Sequence, residues 1–547
     1  MSRSPTVSVP AVEGPAPAAR VYPVGRWAAG AGEVVAAFGA AAVSVLLSTS
    51  IAVDPLNRVG QVSGVAALDL RFLVVGLLVV VTCLVAGHAH PQAWSVARRC
   101  APAAIAGLAT GLIGGGVLVA LSGTDWPLFA NAGDSGQLIR WADDLLAGRP
   151  VPAGYPPVAI HLVAGLAELT GDNTAGALRT FQIAATSAFG PIAYLSWRLV
   201  TTPLWALAVT LVAAVPVLEP YKPYTTVVLV ALVPVLITFA GVLRTAQKLT
   251  WARLAVVGVG TGVLLGVLFA VYSGWFVWSA PGALVATLVV FPWRTAVRRG
   301  LALLGLTAAG LLAVAWPHLI GILEASGTVQ DRFFYFDTLV DPAYIAMWRN
   351  DLPGDTGPWP PPGELAGVGV FTALLVVGLG AAVALGGRRT SVIMLCSLLA
   401  GAWLMRLGFA SAMYATGSVQ LYPRTTPEIL FCLLLLSIVA VRLGARRLGD
   451  LARRWDDHGL LGGANGQGTR EAERTTRAAT IGVLCAGLLL ALSMGSSVAD
   501  RHMPRDDDSV GLLAYAAQMV RQVDGTCPDH SDRCVANVGE VPRRAGG

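Results

Sequence analysis

Apolar stretches of about 18 to 20 residues, nearly free of charge, recur along the chain, and each can cross roughly 30 Å of hydrocarbon as a helix. Within them the apolar positions run on without alternating, so the pattern predicts helices and argues against a barrel. Spans are predicted near 32–51, 68–87, 102–121, 179–198, 203–218, 224–243, 253–271, 274–292, 301–321, 366–386, 391–410, 427–445 and 479–498. The expected fold is an all-α polytopic membrane protein with about thirteen transmembrane helices. The segment 157–170 is apolar but short, which suits a re-entrant or interfacial helix.

Between the third and fourth spans the chain makes its first sizeable polar excursion, in a loop covering 122–178. Its centre, FANAGDSGQLIRWADDLLAGRPVPAGYPP, places Asp134 between the small residues Gly133 and Ser135. A short amphipathic run follows, with Ile139, Ala142, Leu145 and Leu146 on one side and Arg140, Asp143 and Asp144 on the other. That spacing suits a helix at a membrane interface. The loop closes on Tyr155-Pro156-Pro157. Three regions result: a Pro- and Ala-rich disordered N-terminus (1–30), a transmembrane domain (31–498) and a polar tail (499–547). The first apolar run is a full span and begins late, so an uncleaved helix is expected there rather than a signal peptide.

Composition agrees. The 547 residues are 55% hydrophobic and 13% charged, with a mean hydropathy of +0.65. In a soluble protein the net charge of +6 would invite a nucleic-acid reading. Here the basic residues sit in short connections, at Arg98/Arg99, Arg244/Lys248/Arg253, Arg294/Arg298/Arg299, Arg388/Arg389 and from Arg442 through Arg477. All fall on one side, so the positive-inside rule explains them, and no nucleic-acid partner is expected. The rule puts the N-terminus in the cytoplasm of a multi-pass plasma-membrane protein, and the Asp134 loop and the tail outside. Of seven cysteines, Cys527 and Cys534 stand apart in the tail, where an oxidising compartment would allow a disulfide. No Cys/His metal spacing occurs. Gly107, Gly111 and Gly115, and Gly258, Gly262 and Gly266, recur every four residues, which reads as tight helix packing rather than a phosphate loop.

Polar residues at the outer ends of spans are costly unless function retains them. The candidates are Asp134, Tyr155, Glu219, Tyr221, Lys222, Tyr272, Trp275, Trp278, His318, Asp331, Arg332, Tyr335, Asp337, Tyr422 and Arg424. Each has a plainer explanation. Trp275 and Trp278 suit an interfacial aromatic belt, His318 a helix-end hydrogen bond, Asp143 and Asp144 a solvated helix face, and Asp351 and Asp355 turns. Arg424 is harder to dismiss, because a guanidinium away from the basic side has the geometry to bind phosphate.

A carboxylate and an arginine on one outer face suit transfer of a sugar from a lipid phosphate. A base takes the acceptor proton, cations stabilise the leaving phosphate, and one carboxylate suffices for inversion. The order of features resembles the GT-C superfamily of polyprenyl-phosphate-dependent glycosyltransferases, and within it the actinobacterial galactan 5-O-arabinofuranosyltransferases. It runs Gly133-Asp134, Tyr155-Pro156-Pro157, Glu219-Pro220-Tyr221, Tyr272, Trp316-Pro317 leading to Tyr335, and Arg424, over roughly residues 30–445. The chain departs from that group in its short tail and in its GDSGQ loop. The resemblance implies a decaprenyl-phosphoryl-arabinofuranose donor and a lipid-linked galactan acceptor in cell-wall biogenesis. Asp134 would be the general base or would help hold a divalent cation, and Arg424 and Lys222 would meet the donor phosphate. Tyr155, Glu219, Tyr221, Tyr272, Trp275, Tyr335 and Tyr422 would bind substrate.

A membrane transporter or lipid flippase is the competing class. It would want ionisable residues near mid-span and broken helices from an internal repeat. Whether the polar residues meet in one pocket at the membrane face, or near mid-membrane, separates the two.

Overall fold

A computed structural model describes residues 23–89, 91–325, 370–417, 422–457, 468–507 and 509–542. Among these residues there is no β-strand, only an isolated bridge between Val520 and Val535. Three long helices open the chain: α1 (Pro23–Ser48), α2 (Arg58–Ala89) and α3 (Pro91–Ala120). Two short ones follow, α4 (Gly133–Leu146) and α5 (Pro157–Thr170), then α6 (Thr174–Trp197) and α7 (Pro203–Val209), the last extended by π and 3-10 turns to Val217. Next come α8 (Pro223–Arg244), α9 (Trp251–Val271), α10 (Gly274–Val290), α11 (Val297–Ala325), α12 (Val370–Gly386) and α13 (Thr390–Thr416). Last are α14 (Thr426–Asp457), α15 (Gly468–Arg501) and the tail helix α16 (Leu512–Met519).

Among the described residues, nine helices are long and apolar enough to cross a membrane: α1, α2, α3, α8, α9, α11, α13, α14 and α15. Large apolar side chains such as Leu70, Leu77 and Leu78 of α2 stand exposed on them, as lipid contact requires. The chain is an all-α, multi-pass membrane protein. The other four predicted spans fall on helices that are shorter or more polar: α6, the α7 segment, α10 and α12. α6 fails the apolar pattern because it turns polar groups inward. Gln182, 1% exposed, donates from Nε2 to the Tyr221 carbonyl and accepts at Oε1 from the Leu128 N–H.

α3 is the buried axis, packed by α1, α2, α6 and α15. The four-residue glycine spacing lets those neighbours approach. A Cβ on Gly107 would come within 2.0 Å of the Ala37 carbonyl of α1, and one on Gly262 within 2.2 Å of the Thr307 carbonyl where α9 meets α11. Only hydrogen at those positions leaves room for the crossings.

The tail is more than a solvated end. After α15 it folds back onto the chain that leaves α3. Gln518 of α16 donates to the Ala120 and Ser122 carbonyls, Thr124 donates to the Ala517 carbonyl, and the Trp126 indole donates to the Arg521 carbonyl. Cys527 and Cys534 are bonded to each other within it. The tail and the Asp134 segment therefore share one face of the bundle.

Candidate functional site

The site is built from the backbone after α3. Phe129 donates its N–H to the Leu513 carbonyl of the tail at 2.8 Å, and Leu128 is held by Gln182 at 2.9 Å. Between these anchors Phe129 and Ala130 take φ of 69° and 45°, and Gly133 takes 55°. Positive φ at two non-glycine residues costs on the order of 1 to 3 kcal/mol each and persists only where neighbours over-determine it. The turn throws the chain into α4. Asp134 therefore sits in the first turn of a helix rather than in an open loop, where the helix dipole favours its negative charge.

The first N–H groups of a helix have no partner within it. Here the Tyr221 hydroxyl accepts from Asp134 N at 2.8 Å and from Ser135 N at 3.3 Å, and Ser135 Oγ donates to the Leu128 carbonyl at 2.7 Å. α4 buries Leu138 and Ala142 against α5 and α6, while Leu146, expected on the apolar side, is exposed. Asp143 is not purely solvated: its carboxylate accepts from the Thr174 hydroxyl at 2.7 Å.

Asp134 faces a cavity of about 280 Å³, lined also by Tyr155, Glu219, Lys222, Tyr224, Tyr272, Trp275, Trp278 and Arg424. Segments far apart in the chain, at the ends of α4, α8, α9, α10 and α14, thus meet at one end of the bundle. The Tyr155 and Tyr224 hydroxyls share a hydrogen bond. Tyr272, Trp275 and Trp278 form a ring cluster, with Trp275 and Trp278 at 5.0 Å between centroids. These tryptophans are 4% and 1% exposed, so they are walls of the cavity and not an interfacial belt. Trp275 is fixed by an indole hydrogen bond to the Thr225 carbonyl at 2.7 Å.

Four ionisable side chains, Asp134, Glu219, Lys222 and Arg424, line the cavity together. The Lys222 ammonium is in contact with the Asp134 carboxylate. Burial, then Arg424, pulls Lys222 down to about 8. Glu219 is open to the cavity space, yet surrounding protein starves it of bulk water. Its carboxyl is pushed up to about 7, with Arg424 opposing the shift. Burial also pushes the Tyr155 phenol up to about 12, so it stays a neutral donor.

Three expected substrate residues stand differently. Tyr221 does not line the cavity; it lies behind Asp134, caps α4 and packs edge-on against Phe129. Tyr422 opens the 3-10 turn Tyr422–Thr425 that carries Arg424. Tyr335 lies outside the described residues, as do Asp331, Arg332, Asp337, Asp351 and Asp355. His318 bonds the Ala153 carbonyl and Ser273 Oγ and lies against Phe269, a structural role.

Two buried charges were not among the sequence candidates. Arg406 of α13, 2% exposed, donates to the Thr425 and Thr426 hydroxyls at 3.2 and 2.9 Å and so steadies the turn bearing Arg424. Glu428 of α14 accepts from Ser279 Oγ of α10 at 2.7 Å. The signal for both was an ionisable residue inside an apolar run. Among the described residues, no group of three or more His, Cys, Asp or Glu could hold a metal. No protein-family model and no curated protein matches the chain.

Proposed function

We propose that this chain is a membrane glycosyltransferase that moves a sugar from a polyprenyl-phosphate donor to a cell-wall glycan. By its resemblance the sugar is arabinofuranose and the acceptor a lipid-linked galactan. In this reading α6, the α7 segment, α10 and α12 join the nine long helices as spans, about thirteen in all. The face bearing the cavity is extracytoplasmic, since the arginine clusters lie at the other.

One observation carries the proposal: Asp134, Lys222, Glu219 and Arg424 meet among aromatic walls at the ends of the helices. A donor of this class keeps its polyprenyl chain in lipid and its phosphate at headgroup level, and the sugar needs an aromatic-lined polar cavity. A transporter would place its ionisable site near mid-membrane.

The chemistry follows from the residues. Arg424 grips two phosphate oxygens with its planar fork, and Lys222 adds a point charge. In the resting protein the Lys222 ammonium lies against the Asp134 carboxylate. An arriving phosphate gives Lys222 a second anion and loosens its hold on Asp134, which then accepts the proton of the acceptor hydroxyl. The acceptor oxygen bonds to the anomeric carbon as the bond to the phosphate oxygen breaks. The polyprenyl phosphate leaves with that electron pair, its charge met by Arg424 and Lys222. Attack opposite the leaving group inverts the anomeric centre. Were a divalent cation bound, Asp134, in place of its role as base, and Glu219 are the cavity carboxylates that would hold it, and it would supply positive charge for the leaving phosphate.

The test is to incubate purified protein with a panel of polyprenyl-phosphate sugars and defined glycan acceptors, reading products by mass spectrometry. Transfer from at least one donor, strongest with arabinofuranose, is expected. Folded protein that transfers nothing from any donor would overturn the proposal.

A further inference from the structure

A second recess, of about 570 Å³, opens at the other end of the bundle. Five arginines line it: Arg244 at the end of α8, Arg388 and Arg389 between α12 and α13, and Arg442 and Arg446 of α14. No aspartate or glutamate is among its lining residues. The same two helices, α8 and α14, begin at the candidate catalytic cavity, where Thr225 and Pro427 line it. From Thr225 to Arg244 the helix rises about 28 Å at 1.5 Å per residue, so the two cavities lie on opposite faces of the membrane.

The positive-inside rule accounts for arginines on this face, but not for their convergence around one hollow. Some arginines elsewhere on the face are satisfied by protein: Arg99 and Arg198 both pair with the buried Glu33, and Arg299 donates to the Gln247 carbonyl. In the recess only Arg244 has a recorded hydrogen bond, to the Arg388 carbonyl at 2.8 Å, and none of the five arginines forms an ion pair among the described residues. Three buried polar atoms of its lining lack a partner: Arg442 Nε, Trp197 Nε1 and Thr201 Oγ1. Trp197 is 3% exposed. Native proteins rarely leave buried donors unmet. The guanidinium groups that line the recess can only donate, so the partner that fits it is an acceptor with several oxygens and negative charge.

We propose that this recess binds the phosphate of a lipid, at the face opposite the candidate catalytic cavity. The arginines take the phosphate oxygens. Ile237 of α8 and Val439 of α14 supply an apolar wall for the chain, which distinguishes a lipid from a free anion.

Full-length protein in phosphatidylcholine nanodiscs is compared with protein in nanodiscs that also carry phosphatidylglycerol or a polyprenyl phosphate. Lipid retained after exchange into neutral detergent is counted by native mass spectrometry, with inorganic phosphate as competitor. The wild type retains an anionic lipid, and an Arg389→Gln, Arg442→Gln double variant retains about tenfold less or below. Retained phosphatidylglycerol marks a bulk headgroup, and retention of the polyprenyl phosphate alone marks the isoprenoid carrier; both support the site. Arg446→Gln removes one guanidinium at an exposed position of the lining, so a several-fold loss in that variant holds even if the double variant misfolds. Equal retention by wild type and both variants, or no retention, overturns the proposal. Displacement by inorganic phosphate at lipid-equivalent concentration would make it a free-anion site and overturn the lipid assignment.

Discussion

The Lys222 ammonium is paired with the Asp134 carboxylate inside the candidate catalytic cavity, with Arg424 lining the same space. In the proposed mechanism a base and a phosphate-binding cation thus neutralise each other until a substrate anion separates them. Three consequences of that arrangement, and one of the tail that supports it, can be measured.

Donor binding is expected to depend on the charge of Lys222. Its folded pKa is lowered to about 8, so it is a cation below that pH and neutral above it. Donor affinity therefore falls as pH rises through about 8, by at most about tenfold per unit. Lys222→Arg keeps its charge and should flatten that fall. Glu219→Gln removes the ionisation near 7 and should leave the limb near 8 in place. A titration of donor Kd against pH in the three proteins checks both.

Arg424→Lys retains the charge but loses the two-pronged grip. We expect donor affinity to drop by about tenfold or more, since a bidentate contact becomes a point contact. An arginine that only reached for lipid headgroups would tolerate the change, with donor Kd and turnover unaltered.

Tyr221→Phe removes the acceptor for the Asp134 and Ser135 N–H groups while keeping the ring against Phe129. A stability loss of about 1 kcal/mol is expected. Turnover should fall more than donor affinity, because the residue positions Asp134 and does not line the cavity. Melting temperature and a kcat-against-KM split report the two effects separately.

The tail braces the segment that leads to Asp134, and its disulfide closes the loop beyond α16. Replacing Cys527 and Cys534 by Ser should lower stability by about 2 to 4 kcal/mol. Turnover should fall with it, since the Leu513 carbonyl holds the strained Phe129 turn. Differential scanning fluorimetry and activity of the same sample are the measurements.

Much of the membrane frame could be read from the sequence, because length and apolar composition alone define a span. α6 was legible as a helix, but the satisfaction of its buried Gln182 was not, since the partners lie where the sequence cannot pair them with it. The cavity residues were found by their place at the outer ends of spans, which is a topological signal. Tyr221 lay in the same cluster, yet the sequence could not tell a lining residue from one that caps a helix behind it. The role of the tail was hidden for the same reason: Leu513 and Phe129 are 384 residues apart, and nothing local records their hydrogen bond. Trp275 and Trp278 have the composition of an interfacial belt, and only burial reveals them as walls.

The most direct measurement is glycosyl transfer by Asp134→Asn against the wild type, with donor binding read on the same preparations. Asparagine keeps the shape of the side chain and removes its basicity. A fall in turnover of about 10² to 10⁴ with donor binding retained is expected of a lost general base. Near-normal turnover in a folded Asp134→Asn protein would contradict the assignment of Asp134 as the base.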